Sequence, residues 1–541
     1  MSASSKKKLR NAEQAEKLTE KQLAEQKEAK KLKLYSTLAV VILVVLVVFA
    51  AYVGITRTIA NSGIRERNTV ALTIGDEKVS NAEMNYFFID EVNAFMNQYG
   101  NYVSILGLDT AAPLNEQILN EETKETWADD FLNSAVESAK ATYAIAAEAK
   151  ANNYTMTEAD TTNVEQTMST MAAYATIYGY PNTDSYLKAM YGNGASEKSL
   201  REYLELRALA NSYQNHYYNA LTYSDDELRA AESENFNKYS SYSYNYYYLS
   251  TSKFIEDNGT DSTEYTDEQL AAAAKNAEAA AKSLTTGITT VEEFDAAIAA
   301  LPINAESTTA ASYASKNVSY NSIYSDYAEW LTDESRKAGD MTYVASKSST
   351  TDENGNETES INGYYVVMFG SSNDNTFALA NVRHILSAFE GGSTDSTTGV
   401  TTYSDEEKAA AKTAADEIFA EWSNGEATED SFAALANEKS DDGDGTTGGL
   451  YENVYPGQMV AAFEDWCFDD RKAGDTGIVE TEYGYHIMFY AGDSETTYRD
   501  FLISNELANN DYEDWYAALT GSVTADEGSF QYIRTDLTLG A

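Results

Sequence analysis

Only three histidines occur in the 541 residues, His216, His384 and His486. Two of them stand in comparable surroundings: His384 in Asn-Val-Arg-His-Ile-Leu-Ser (381–387) and His486 in Thr-Glu-Tyr-Gly-Tyr-His-Ile-Met-Phe (481–489). Both runs are rich in β-branched, aromatic and aliphatic residues, which predicts strands. A hydrolase triad would need a nucleophile oriented by His and a carboxylate, and no nucleophile motif accompanies either histidine. A metal site would need further ligands, and Asp441, Asp442 and Asp444 are the nearby candidates. Counting from Asp441 puts Glu452 at the twelfth place of a calcium loop. Gly443 and Gly445 then fill the third and fifth places, where side-chain oxygens are required. The single Cys467, in Trp-Cys-Phe, excludes an intrachain disulfide framework and a multi-cysteine zinc site and reads as a buried apolar thiol. No glycine loop of the phosphate-cradling kind is present. No metal and no cofactor is expected, and what remains is non-covalent chemistry in a small pocket. His216, in Gln-Asn-His-Tyr-Tyr, reads as a helix-surface or core residue.

The elements that must position the two histidines lie between them. A charged, alanine-rich helix comes first, then an acidic glycine loop, then Pro-Gly-Gln-Met-Val-Ala-Ala-Phe (456–463). The segment 240–371 repeats this order. Tyr-Asn-Tyr-Tyr-Tyr-Leu-Ser (244–250) matches 381–387 and places Tyr247 where His384 stands. Gly-Tyr-Tyr-Val-Val-Met-Phe (363–369) matches 484–490 and places Tyr365 at His486. Arg-Lys-Ala-Gly-Asp recurs intact at 336–340 and 471–475. The expectation is one active and one degenerate domain, the latter with a polar surface-loop insertion, Lys347 to Ser360.

Over the whole of 378–493 the motif order resembles the parvulin family of peptidyl-prolyl isomerases. The resemblance rests on Val-Arg-His-Ile-Leu, the helix ending Phe432-Ala-Ala-Leu-Ala436, and Lys-Ser-Asp-Asp (439–442). Gly448-Gly449-Leu450, Gly457-Gln-Met459 with Phe463, and Tyr483-Gly-Tyr-His486-Ile continue it. It implies that His384 and His486 are the paired central histidines, with Thr481 in their hydrogen-bond network and Asp442 beside the twisting amide. It also implies that Leu450, Met459 and Phe463 hold the proline ring. The sequence departs from the family in reading Gly-Gly-Leu-Tyr-Glu where parvulins commonly have Gly-Gly-Asp-Leu-Gly, with one extra residue before Pro456.

The remainder of the chain is read as what delivers this domain. The formal charge is −48, and residues 1–34 carry a net +5, leaving −53 beyond them. So acidic a chain argues against nucleic acid as a partner. Tyr35 to Ile55 form an uncharged run long enough to cross a bilayer, with the basic flank expected on the cytoplasmic side and the rest outside. A cleaved signal peptide is the rival reading of this run. Val70–Ser80 predicts two short strands around a Gly-Asp turn, and Ser80 with Glu83 has capping-box spacing. Helices are predicted from Met84 to Met96 and at roughly 115–152, 157–178 and 196–222. Tyr498 to Leu519 predicts a helix, and 530–538 a last strand able to pair with the Val70–Val79 hairpin.

The expected fold class is α+β and multidomain. Its parts are a basic segment 1–34, a transmembrane helix 35–55, a mainly α-helical lobe 68–238, a degenerate parvulin-like domain 240–371 and a parvulin domain 378–493. A C-terminal segment, 494–541, packs on the lobe. This arrangement resembles extracytoplasmic parvulin foldases of the PrsA and SurA type, here with a transmembrane anchor. The resemblance implies isomerisation of X-Pro bonds in unfolded or newly secreted polypeptides, with chaperone work in the helical lobe. The alternative is a non-catalytic holdase that uses the parvulin domains as peptide-binding modules.

Overall fold

Up to Gly54 the N-terminal stretch contains neither glycine nor proline and is rich in Ala, Lys, Glu and Leu, all strong helix formers. Ala3–Asn61 is accordingly one helix. Within it Val41–Ile59 is, among the described residues, the one stretch long and apolar enough to cross a membrane, and none of it is buried. The structure, a computed structural model, describes residues 3–255, 265–351, 357–395, 398–443 and 445–540. It divides into two units, one formed by the chain up to Leu221 together with that from Asn510 onward, the other by Thr222–Asn509.

In the first unit the Gly75–Asp76 turn joins strands Val70–Ile74 and Glu77–Ser80. The Ser80 hydroxyl then accepts the Glu83 amide and starts helix Asn81–Tyr99. Full capping boxes at Thr126/Asp129, Thr157/Asp160 and Ser196/Ser199 start the helices Trp127–Ala151, Glu158–Ile177 and Glu197–Ala220. Leu72, Phe87, Phe88, Phe131, Leu200 and Tyr203 meet in their shared core.

Two expectations for this unit are corrected. Residues 115–126 are not α-helical: a 3₁₀ turn, Leu114–Glu116, leads into a small hairpin, Ile118–Asn120 with Glu125–Thr126, whose reversal places Lys124 at φ 63°. The C-terminal strand is Ala525–Glu527, pairing with Val70–Ile74, while 530–538 consists of turns. The turns persist because side chains replace the ladder. Asn81 Nδ2 donates to the Ser529 carbonyl at 2.7 Å. Asn85 donates to the Tyr532 carbonyl at 3.1 Å and accepts the Arg534 amide at 2.9 Å. Both asparagines are fully buried, so these bonds satisfy groups that would otherwise be costly.

The second unit holds two four-stranded antiparallel sheets. The first comprises Ser241–Ser250, Tyr313–Ser319, Met341–Thr351 and Glu357–Asn373, and the second Ala378–Ala388, Leu450–Val454, Thr476–Glu480 and Gly484–Thr497. In both, the order across the sheet is second, first, fourth, third. One face of the second sheet packs on helices Asp405–Asn424 and Glu429–Lys439 through Ile385, Phe432, Ile487 and Phe489. The other packs on helix Ala461–Cys467 through Val382, Phe463, Trp466 and Met488.

The recurring Arg-Lys-Ala-Gly-Asp does the same work in each sheet. Gly339 donates to the Phe369 carbonyl at 2.9 Å and the Phe369 amide to Asp340 at 2.8 Å. The same pair of bonds joins Gly474, Tyr490 and Asp475, both at 2.8 Å. Arg336 stacks over Trp330, and Arg471 over Trp466, each 4.7 Å from the ring centroid. The insertion expected as a loop at Lys347 to Ser360 instead prolongs two strands into a hairpin arm, pairing Lys347 with Ile361 and Thr351 with Glu357. Its residues 352–356 lie outside the described residues. Cys467 is buried, and burial pushes its thiol up to about 12, so it is inert.

Candidate functional site

Strands Ala378–Ala388 and Gly484–Thr497 pair so that Met488 faces His384 and His486 faces Leu386. Residues two apart on a strand share a face, so both histidines project from the same side of the sheet. Their Nδ1 atoms lie 3.1 Å apart, and both residues are buried. His384 Nε2 is 3.1 Å from Asp442 Oδ2, and Thr481 Oγ1 is 2.9 Å from His486 Nε2. The ring of Phe463, from helix Ala461–Cys467, stands edge-on to both imidazoles, with centroids at 5.4 Å. A cavity of about 340 Å³ opens over them, lined also by Leu386, Asp442, Tyr451, Gln458, Met459, Val460 and Tyr483.

The chain of polar groups admits one consistent assignment. An ionised Asp442 only accepts, so His384 Nε2 carries a proton. With His384 neutral, its Nδ1 accepts from His486 Nδ1–H. His486 Nε2 then accepts the Thr481 hydroxyl proton, and Thr481 Oγ1 accepts the Tyr483 amide at 3.2 Å. Burial, and next the neighbouring His384, push His486 down to about 4. Burial also lowers His384, against the pull of Asp442. Both are therefore neutral near pH 7.

In the unfolded chain His486 titrates near 6.5, above its folded value. Stability is full above that pH and is lost as pH falls toward and through about 4. Urea midpoints measured from pH 7 to 4 are expected to fall through this window, and to fall less in His486→Phe.

Glycine is required where the loop returns beneath the first strand. Gly449 has φ +65°, accepts the His384 amide at 2.9 Å, and a Cβ there would lie 2.2 Å from the His384 carbonyl. The calcium-loop alternative meets engaged carboxylates: Asp441 accepts the Ala388 amide at 2.9 Å and Asp442 is held by His384, while Asp444 lies outside the described residues. His216 is exposed and rests on the Tyr154 ring, centroids 4.9 Å apart.

One expected pocket residue is corrected. Leu450 pairs with Arg383, so its side chain lies on the face opposite His384. Tyr451 pairs with Val382 and projects into the cavity. A shift of one residue exchanges the two faces of a strand. The signal was present in the motif: counted from Gly448-Gly449, Tyr451 and not Leu450 stands where Gly-Gly-Asp-Leu-Gly has its leucine.

The first sheet departs from expectation in the same way. Tyr248 pairs with Tyr365, and Tyr246, two residues away, shares their face, so Tyr246 corresponds to His384. Tyr247 points to the other face, where its hydroxyl donates to Asn304 Oδ1 at 3.1 Å. The positions corresponding to His384, Leu386, Val460, Phe463 and His486 are then Tyr246, Tyr248, Tyr324, Tyr327 and Tyr365. Tyr365 stacks on Tyr324 at 5.3 Å and meets Tyr327 at 5.4 Å and Tyr248 at 4.7 Å.

Residues 366–490 match a protein family described as the PPIC-type PPIASE domain. Among solved structures, a peptidylprolyl isomerase (PrsA) from Bacillus anthracis is similar at 21% identity, covering 28% of this chain and 59% of that one, with a TM-score of 0.17. A peptidylprolyl isomerase (PrsA) from Bacillus cereus is similar at 18% identity, covering 61% of this chain and 86% of that one, with a TM-score of 0.17. The chain thus spans less than two thirds of the length of the first of these. No curated protein matches.

Proposed function

We propose that the chain is a foldase that catalyses cis–trans isomerisation of X-Pro bonds in unfolded or newly secreted polypeptides, a reading supported by the match of residues 366–490 to the PPIC-type PPIASE domain. The observation that carries this reading is the unbroken chain Asp442–His384–His486–Thr481 along the wall of a small cavity edged by Met459 and Phe463. Rotation about X-Pro is slow because twisting breaks amide resonance, a barrier of ~18–20 kcal/mol. Such a reaction needs no nucleophile, only a site that favours the twisted amide over both planar forms. An apolar clamp on the ring, with a preorganised carboxylate and neutral imidazoles beside the carbonyl, does this.

In this reading His384, His486, Asp442 and Thr481 form the polar wall, and Met459, Phe463 and Tyr451 hold the ring. The helix containing Val41–Ile59 anchors the protein in the cell membrane, single-pass, with the basic segment cytoplasmic and the domains outside. The helical lobe, residues 68–221 with the chain from Asn510 onward, holds unfolded clients. Refolding of a proline-limited protein by the full chain tests the activity, and an uncatalysed slow phase would overturn it. Met459→Ala, at a half-buried position, is expected to raise KM about tenfold for a proline tetrapeptide with kcat nearly unchanged, since it removes apolar contact worth about 1–2 kcal/mol.

A second reading has its own observation. In the first sheet all five corresponding positions are tyrosine, with no imidazole or carboxylate among them. Here 240–371 is a degenerate domain kept for binding, and the protein's holdase role rests on it and on the lobe. A full-chain Asp442→Ala variant that still suppresses client aggregation while losing isomerase activity would separate holding from turnover.

A further inference from the structure

The Asp442 side chain is held less firmly than the loop that carries it. The backbone is pinned: the Asp441 amide donates to the Leu386 carbonyl at 2.9 Å, Ser440 Oγ accepts the Leu386 amide at 3.1 Å, and the Asp442 amide donates to Ser440 Oγ at 3.2 Å. The carboxylate itself has two donors, His384 Nε2 and the Tyr451 hydroxyl, both 3.1 Å from the same oxygen, Oδ2. The Asp442 side chain is 39% exposed, and Gly443 follows at φ +84°, so solvent competes for it directly. The Tyr451 ring also packs on His384, centroids 5.2 Å apart, and Phe463 stands edge-on to the same imidazole.

We propose that Tyr451 is a positioning residue: its hydroxyl holds Asp442 against His384, and its ring closes the wall of the proline pocket. The proposal rests on the isomerase reading for its kinetic consequence. Its structural content, that Tyr451 sets the Asp442–His384 contact, stands apart from turnover. Two donors on one oxygen fix the carboxylate plane and leave Oδ1 unclaimed by either. With one donor lost, the side chain turns into water and His384 Nε2–H loses its acceptor. The tautomer of the pair is then no longer determined from that end. Leucine, at the same place in the parvulin pattern, could supply only the wall.

Two variants of the full chain separate hydroxyl from ring. Tyr451→Phe keeps the ring, and kcat for a proline tetrapeptide is expected to fall about tenfold, in line with a lost hydrogen bond to a charged group, while KM stays within about twofold. Tyr451→Ala should show the same loss in kcat together with a raised KM. The spectroscopic test uses ¹⁵N-histidine labelling, since only three imidazoles contribute and exposed His216 is an internal reference. In Tyr451→Phe the His384 Nε2–H signal is expected to broaden and move while that of His216 stays. An unchanged His384 signal would overturn the proposal whether or not the protein turns over substrate. So would a Phe variant with the wild-type kcat in an active protein. A wild type without turnover, whose His384 signal nevertheless moves in Tyr451→Phe, would retain the positioning role and reject the isomerase reading.

Discussion

Asp442→Ala in the full chain is expected to lower kcat/KM for X-Pro isomerisation about 100-fold, equivalent to ~2.7 kcal/mol of transition-state stabilisation. The size follows from what the carboxylate does. Among the described residues it is the one carboxylate lining the cavity beside the two imidazoles, and it fixes the His384 tautomer through Nε2. Without it nothing determines which nitrogen of His384 carries the proton, and His486 loses its defined acceptor. Because the side chain is partly exposed, its removal should change unfolding free energy by about 1 kcal/mol or less. Asp442→Asn separates charge from orientation, since its carbonyl oxygen still accepts from His384 and Tyr451. About tenfold loss is expected there if field and tautomer contribute separately. Wild-type kcat/KM in Asp442→Ala, with binding intact, would remove the polar wall from the mechanism and leave only the apolar clamp.

The largest effect on stability is expected at Arg499, which is fully buried. It pairs with Glu232 and donates to the carbonyls of Asp374 at 2.8 Å and Phe236 at 2.6 Å, and to Ser240 Oγ at 3.3 Å. Its guanidinium lies 3.8 Å above the Phe236 ring, and its amide donates to the Asn375 carbonyl at 2.7 Å. It thereby joins three pieces of the second unit: the helix Asp225–Glu234, the approach to the first sheet, and the junction between the sheets. Arg499→Ala leaves two carbonyls without their donor and Glu232 with Arg229 as its remaining partner, and should destabilise this unit by about 3 kcal/mol. Arg499→Lys keeps the charge but not the planar fork and should fall between. Hydrogen exchange on the full chain should show the loss first at residues 236–241 and 373–376. Wild-type protection there in Arg499→Ala would mean that the junction is held by other contacts. No partner of Arg499 belongs to the cavity, so substrate affinity should be preserved in the protein that remains folded.

Several features were legible because they are local. Ser80 starts its helix through a bond to the amide three residues on, and the apolar stretch near the N-terminus needs only length and composition. Motif order singled out the histidines, Asp442, Met459 and Phe463, which line one cavity, and Thr481, whose Oγ1 lies 2.9 Å from His486 Nε2. Residues 115–126 and 530–538 were misread because composition alone did not reveal a tight reversal at Lys124 or the hydrogen bonds supplied by buried Asn81 and Asn85. Arg499 carried no signal at all, since its partners are scattered from Glu232 to Asn375.

What the amino-acid sequence determined by itself was which side chains exist for the chemistry and in what order along the chain. It limited the site to two imidazoles, one loop carboxylate, a threonine and an apolar run. Which of two adjacent residues faces the cavity was decided only by strand pairing. Leu450 yields to Tyr451, and Tyr247 to Tyr246, because side chains alternate across a sheet and the register is set by the partner strand. A motif counts residues along one chain, whereas a face belongs to two.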